Sequence, residues 1–317
     1  MRRGIRILTA LKRPRLLEDN APALLVLTTY LLVLLSRLID TALLDRTNEH
    51  LGVALLQIFI FLFPALVYAR LNRGLTFSRI RMRLPRPSHI LLLVWATLAL
   101  ISGCLLISVY TGGIRTDSEH FSLYNTFLAR SGHTAADVIQ LMITYAVLPA
   151  VCEELVFRGL LCASLERAHG LVATVLCSAV YFGMLHLRLD QLPVYMFAGV
   201  LLCMVMYATR SLIAAMIVHF AYNLFGLFGQ STVSGFYLYT GSTELFTFLL
   251  TCILLASSLL FCGEAGRVYR IYAGAVGEGE EHTVIPPDAL PSHILKALLP
   301  PAGIACIVLY ILVCLFF

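Results

Sequence analysis

The stretch AVCEELVFRGLL, residues 150–161, places two adjacent glutamates and an arginine inside a run that is otherwise apolar. The charged residues are Glu153, Glu154 and Arg158. The surrounding run, 136–161, is long enough to cross a bilayer, which takes about 17–25 residues. A charged side chain at the bilayer centre costs about 2.5–3.5 kcal/mol on insertion scales, so ionisable residues inside spans usually mark a function. The stretch therefore predicts a polar site embedded in a membrane.

The composition of the whole chain agrees with membrane insertion. Of its 317 residues, 59% are hydrophobic and only 13% are charged, whereas soluble domains carry roughly 25% charged residues. The cysteines show no C-x-x-C spacing, so neither a disulfide framework nor a zinc knuckle is indicated. The sequence predicts an all-α, polytopic transmembrane helix bundle of about eight to nine spans with an intramembrane polar cavity. The apolar runs are 22–44, 50–69, 89–111, 136–161, 171–189, 191–209, 211–229, 243–262 and 294–317.

The distribution of Lys and Arg over the loops predicts the orientation of the bundle. The N-terminal tail and the 70–88 loop are rich in Arg and fall on one side, which the positive-inside rule makes the cytosol. We expect a multi-pass integral protein of a bacterial plasma membrane with a cytosolic N-terminus. The basic loops are expected to face membrane lipid, and nothing points to nucleic acid. The loops on the opposite side carry only Arg46, Arg115, Arg130 and Arg188.

The same runs divide the chain into four regions. Residues 1–21 form a cytosolic basic tail, and 22–135 hold the N-terminal transmembrane helices with an outer loop at 111–133. A helical core at 136–229 carries the polar residues. Residues 230–317 hold the C-terminal transmembrane helices with a cytosolic linker at 263–293, whose Gly and Pro content predicts irregular structure.

Helical spacing predicts which of these polar residues share a face. Glu154 and Arg158 stand at i and i+4, with the glutamate first, so we expect them to pair. Glu153 points about 100° away from Glu154 around the helix and needs another partner. His219 and Asn223 also stand at i and i+4 in a later span.

The depth of these residues in the membrane can be compared across spans. Glu153 and His186 lie at equal sequence distances from the polar turn at 165–170, so an antiparallel pair of helices would place them at equal depth. His219 lies about 13 Å along its helix from Arg210. We therefore expect these residues to meet in a cavity that opens to the cytosol.

Three motifs in this order resemble the CPBP family of intramembrane proteases. EELVFR (153–158) fits E-E-x-x-x-R, FGMLH (182–186) fits F-x-x-x-H, and HFAYN (219–223) fits H-x-x-x-N. The family includes Rce1-like CAAX prenyl endopeptidases and bacterial relatives linked to bacteriocin immunity. The resemblance covers roughly 136–229 and implies an intramembrane endopeptidase that cleaves a membrane-associated protein or peptide.

The resemblance also implies a role for each motif residue. Glu153 would activate water with the help of His186, and Glu154 and Arg158 would hold the site and the substrate. His219 and Asn223 would polarise the scissile carbonyl. These roles agree with the general needs of amide hydrolysis, which are a base for water, donors for the oxyanion and a proton for the leaving amine.

Two questions stay open at this point. Glu153, His186 and His219 are also the ligand set of a His₂Glu zinc site. That reading would leave Glu154 as the base, although Glu154 is better spaced to pair with Arg158, and no H-E-x-x-H motif is present. We therefore favour a site without a cofactor, with zinc as the alternative. The other readings of the buried charges are an ion-coupled transporter and a non-catalytic peptide-binding or immunity protein.

Overall fold

The computed structural model describes residues 15–38, 49–72, 78–112, 134–274 and 285–316, and within these ranges all regular structure is helical. Two π-helical segments, Ile143–Val147 and Leu155–Leu161, and a short 3₁₀ turn, Pro87–His89, interrupt or precede the α-helices. The α-helices are α1 Arg15–Leu38, α2 Glu49–Leu71, α3 Ile90–Gly112, α4 Ala135–Met142, α5 Leu148–Glu154, α6 Cys162–Leu185, α7 Leu192–Thr209, α8 Leu212–Phe228, α9 Gln230–Thr240, α10 Thr243–Gly274, α11 Leu290–Leu298 and α12 Pro301–Phe316.

The number of membrane spans agrees with a polytopic bundle. In the described residues, 6 helical runs are long and apolar enough to cross a membrane, or up to 8 if each of two bent helix pairs counts as one span. The bent pairs are α8 with α9, at 69°, and α11 with α12, at 73°. The predicted all-α transmembrane bundle is confirmed, and the chain is an integral multi-pass membrane protein.

The longest apolar run, Ala135–Leu185, reverses direction inside the bundle. The guanidinium carbon of Arg158 lies 4.2 Å from the ring centroid of Phe182, whereas a straight helix would separate these residues by about 36 Å. The chain leaves helical geometry at Gly170, whose φ of 72° and ψ of 174° suit a residue without a Cβ. One apolar run thus supplies two antiparallel walls of the site.

Small residues bring α6 and α7 into close contact. A Cβ built on Gly199 would lie 2.8 Å from the Cα of Ala179, so the two backbones approach as closely as a glycine allows. Close approach at small residues is a common way for helices to associate in a membrane, where burial of apolar surface gives little preference for one partner. This contact holds α7 against the helix that follows the Gly170 turn.

Several arginines lie at one end of the bundle, where buried contacts close the packing between helices. We call this the Arg-rich end and define it by Arg81, Arg83, Arg210 and Arg267. Arg81 Nη2 donates to both carboxylate oxygens of Glu166 at 3.0 Å, and its carbonyl accepts from the amide of Leu212 at 2.8 Å. Arg81 is therefore buried against α6 and α8, although the sequence predicted a basic loop facing lipid.

The C-terminal part of α10 differs from the predicted linker of 263–293. The helix continues through Gly274, because Val268 is fully buried and Arg267 donates both to Glu264 and to the carbonyl of Ser88. Residues 275–284 of that linker and residues 113–133 of the predicted outer loop lie outside the described residues.

Candidate active site

The two glutamates occupy the last positions of α5, a short α-helix with a π-helical segment on each side. π-helical turns are rare and occur frequently at functional sites. Glu154 and Arg158 are fully buried and Glu153 is 8% exposed, so three ionisable side chains lie in the interior. Buried charges persist only when they are paired, hydrogen-bonded or used. The contacts of each residue show which of these applies.

Glu154 is bonded to two neighbours through one carboxylate oxygen, Oε1, whereas its Oε2 is buried without a hydrogen-bond partner among the described residues. Its Oε1 accepts from Arg158 Nη1 at 2.8 Å, as the spacing predicted, and also lies 2.9 Å from His219 Nδ1. Arg158 in turn donates through Nη2 to the carbonyl of Gly199 at 3.3 Å and stacks over Phe182. Glu154 therefore ties α5, the following π segment and α8 together.

Glu153 is buried beside these groups, yet its carboxylate accepts no hydrogen bond from Arg158 or His219. Its Oε2 is buried and accepts no hydrogen bond from any described residue. The side chain lies within electrostatic range of His219, Glu154 and Arg158. A buried acceptor without a partner is uncommon in folded proteins and calls for an explanation such as water, a ligand or a catalytic role. No described residue forms a hydrogen bond with Glu153, which distinguishes it from Glu154.

His186 is held in one orientation at the end of α6. Its Nδ1 lies 3.0 Å from the carbonyl oxygen of Phe182, and because a carbonyl only accepts, Nδ1 carries the proton. The Nε2 of the neutral ring therefore carries a lone pair. The ring also stacks on Tyr195, with centroids 3.6 Å apart and 13° between the planes.

His219 and Asn223 approach the glutamates from α8. Glu154 is paired with Arg158, and its Oε1 accepts a hydrogen bond from His219 Nδ1. His219 can then donate a second hydrogen bond, through Nε2, only when the ring carries a positive charge. Asn223 Nδ2 donates to the carbonyl of Ala146 at 3.4 Å, which is long for a hydrogen bond.

The ring of Phe182 contacts His186, His219 and Arg158. The sequence analysis did not predict these contacts. Its ring lies edge-on to His186 at 5.1 Å and to His219 at 6.0 Å, and it carries the Arg158 guanidinium on its face. The F-x-x-x-H motif contained Phe182 without explaining it. The contact between Tyr195 and His186 was also missed, because no spacing rule connects residues on two different helices.

The opening of the cavity toward the cytosol stays a prediction, because the side of the membrane on which each end of the bundle lies is itself predicted from the Arg distribution. The Arg-rich end is the predicted cytosolic end, and there Arg81, Glu166, Thr209 and Ser211 are all buried in the described part of the chain. Tyr207 adds a further bond from its hydroxyl to Glu166 at 3.2 Å. These contacts close that end of the α6–α7–α8 interface.

The alternative with zinc can be examined through the arrangement of possible ligands. In the ranges that the structure describes, no three His, Cys, Asp or Glu side chains are grouped closely enough to hold a metal ion. Glu153, His186 and His219 therefore do not form a ligand set in this conformation.

Comparison with known proteins bears on the same residues. Residues 135–225 match the family model Rce1-like, described as type II CAAX prenyl endopeptidase Rce1-like, and this segment contains every motif residue. The resemblance to the CAAX protease family is thereby confirmed over these residues, and the match does not extend to the bacteriocin-immunity type. No curated protein and no solved structure gives a significant match to the chain.

Proposed function

We propose that this chain, whose residues 135–225 match the Rce1-like family model, is an intramembrane endopeptidase of the CAAX type that uses Glu153 as its general base. The observation that carries the proposal is the contrast between the two adjacent glutamates. Glu154 accepts through Oε1 from Arg158 and His219, although its Oε2 has no partner, whereas no described residue forms a hydrogen bond with Glu153. The substrate is a membrane-associated protein or peptide.

The proposed reaction begins with a water molecule held by Glu153 and by the Nε2 lone pair of His186. Glu153 takes a proton from this water as its oxygen attacks the scissile carbonyl. A general base of this kind typically contributes about 10²–10⁴-fold to the rate. Glu153 then gives the proton to the leaving amine, so the base is regenerated when the peptide bond breaks.

The developing oxyanion is stabilised from α8 in this proposal. Asn223 Nδ2 and His219 Nε2 are the donors, which requires a charged His219 because its Nδ1 proton is directed at Glu154. With that charge the site is balanced, since two carboxylates face one guanidinium and one imidazolium. Arg158 and Glu154 keep the donors in place and do not take part in the proton transfers.

We propose this mechanism without a metal ion, because the donor atoms of Glu153, His186 and His219 are not grouped as a ligand set in the described residues. The positive charge of Arg158, paired to Glu154 next to Glu153, would also repel a dication. No step is assigned to zinc.

The test compares membranes from cells that express the wild-type protein with membranes containing Glu153→Gln. Terminal-peptide proteomics should find fragments that occur only with the wild type, and the purified wild-type protein should produce the same cleavage in detergent. Glu153→Gln should lower the rate by at least about 10²-fold. The matched control is Glu244→Gln, because Glu244 is exposed at the start of α10. Wild-type turnover by Glu153→Gln would show that Glu153 is structural.

A further inference from the structure

Among the described residues, one hydrogen bond holds the imidazole of His186. Its Nδ1 donates to the carbonyl of Phe182 at 3.0 Å. The torsion that turns an imidazole about its bond to Cβ has a broad energy profile, so a hydrogen bond at one ring atom still lets the ring plane swing. The Nε2 lone pair, which holds the attacking water in the proposed reaction, would then lose its direction. His186 therefore needs a second contact that fixes the plane of its ring.

Tyr195, in the first turn of α7, supplies this contact. Its ring lies nearly parallel to the imidazole of His186, with 3.6 Å between the centroids and 13° between the planes. At this separation the tyrosine ring occupies the space into which the imidazole would swing on that side. Phe182 also contacts the imidazole, but edge-on, with 5.1 Å between the centroids and 69° between the planes. Tyr195 is thus the flat partner of His186.

Packing around the start of α7 determines where Tyr195 lies. A Cβ built on Gly183 would lie 2.8 Å from a side-chain carbon of Leu192, so the glycine lets the first turn of α7 approach the end of α6. From α3, Cys104 Sγ donates to the carbonyl of Val194 at 3.9 Å. These contacts hold the backbone next to Tyr195, so its ring is kept in place against His186.

We propose that Tyr195 is a positioning residue of the active site, which acts through His186 by keeping the Nε2 lone pair directed at the attacking water. The inference rests on the proposed function, because it concerns the same water. The stack requires the flat ring of Tyr195 and not its hydroxyl, so an aromatic ring should be sufficient at this position. The side chain also lies within electrostatic range of Glu153, which makes a direct role of the hydroxyl the alternative that the test must separate.

The test measures kcat and KM for cleavage of the substrate fragment found by proteomics. Tyr195→Phe should keep the wild-type kcat. Tyr195→Leu should lower kcat by roughly 10–10²-fold, since misplacing a group by about 1 Å can cost 10²-fold. KM should stay unchanged, because His186 acts on the water and not on the binding of the substrate. Tyr195→Met, which fills a similar volume without a flat ring, should behave like Tyr195→Leu and replaces it if the leucine variant does not fold.

A residue that acts through His186 should have no effect once His186 is removed. In a His186→Ala background, Tyr195→Leu should lower kcat no further, whereas independent contributions would multiply. A further loss of the same size in that background would overturn the positioning role.

The matched control is Phe197→Leu, which removes an aromatic ring from the same helix. Phe197 points about 200° around the helix from Tyr195, and a Cβ built on Gly103 would meet its ring, so it packs against α3. Phe197→Leu should keep the wild-type kcat. Equal losses of kcat in Phe197→Leu and Tyr195→Leu would show that Tyr195 only supports the packing of α7.

The stack itself can be measured without turnover, through the NMR signal of the His186 ring in detergent-solubilised protein with isotope-labelled histidine. The signal is identified by its absence in His186→Ala. Tyr195→Leu should shift this signal, because it removes the ring current of the tyrosine, and Tyr195→Phe should leave it in place. An unshifted signal in Tyr195→Leu would overturn the inference.

The two proposals can fail separately. If the wild type shows no Glu153-dependent cleavage, the protease function fails, whether or not the His186 signal shifts. If cleavage depends on Glu153 but Tyr195→Leu keeps the wild-type kcat, the function stands and the positioning role fails. The same holds if Tyr195→Phe loses as much as Tyr195→Leu, because the hydroxyl would then be the acting group.

Discussion

Replacing each of the two adjacent glutamates by glutamine should separate stability from activity. The substitutions are chemically identical and differ by one position. Glu154→Gln removes the charge that faces Arg158 at 2.8 Å and His219 at 2.9 Å. Glu153→Gln removes a carboxylate whose Oε2 has no hydrogen-bond partner among the described residues.

The expected magnitudes follow from these contacts. Glu154→Gln leaves the guanidinium of Arg158 fully buried without its counter-charge, and breaking a buried pair in this way costs about 3–5 kcal/mol. The corresponding drop in the midpoint of thermal unfolding is on the order of 10 °C. Glu153→Gln should leave the free energy of unfolding unchanged or raise it, because a buried charge without a hydrogen-bond partner is costly to the folded state.

The assay is thermal unfolding in detergent, measured beside cleavage of a substrate fragment found by proteomics. Glu153→Gln should unfold with the wild type and lose cleavage, whereas Glu154→Gln should unfold at a lower temperature. Arg158→Leu should resemble Glu154→Gln, since it leaves the same pair broken from the other side. Equal stability of the two glutamine variants would refute the assignment of separate roles to the two carboxylates.

Three further predictions concern packing, orientation and metal. Gly199→Ala should lower the free energy of unfolding by about 1–3 kcal/mol, because the added Cβ would lie 2.8 Å from the Cα of Ala179. The control is Gly226→Ala, whose added Cβ would have no atom within 4 Å. This control should leave the free energy of unfolding nearly unchanged in the same denaturation assay. Phosphatase fused after residue 120 should be active and phosphatase fused after residue 80 should be silent, and the reverse pattern would invert the orientation. Activity of the purified protein should survive chelation, and loss to a chelator with recovery on addition of zinc would replace the metal-free mechanism.

The membrane spans could be predicted from the sequence because hydrophobic length alone determines them. The apolar runs needed no knowledge of tertiary contacts, since a helix must satisfy its own backbone groups in lipid. The extension of α10 past its apolar run could not be foreseen in the same way. It depends on burial of Val268 and on the bond from Arg267 to Ser88, which lies far away in the chain.

Within the site, local spacing predicted local contacts and nothing more. The pair of Glu154 and Arg158 follows from their spacing of one helical turn, and the structure contains it. The second contact of Glu154, with His219, joins residues 65 positions apart, and no periodicity rule predicts it. The burial of Arg81 against Glu166 was missed for the same reason, because a loop rich in arginine usually faces solvent or lipid headgroups.

The division of labour between the two glutamates follows from helix geometry. One residue turns a side chain about 100° around the helix, so adjacent carboxylates face different neighbours. Glu154 faces Arg158 and His219, which its Oε1 contacts at 2.8 and 2.9 Å. The proposed mechanism therefore assigns the proton transfer to Glu153, which forms no hydrogen bond with a described residue, and leaves Glu154 bonded through Oε1 to Arg158 and His219.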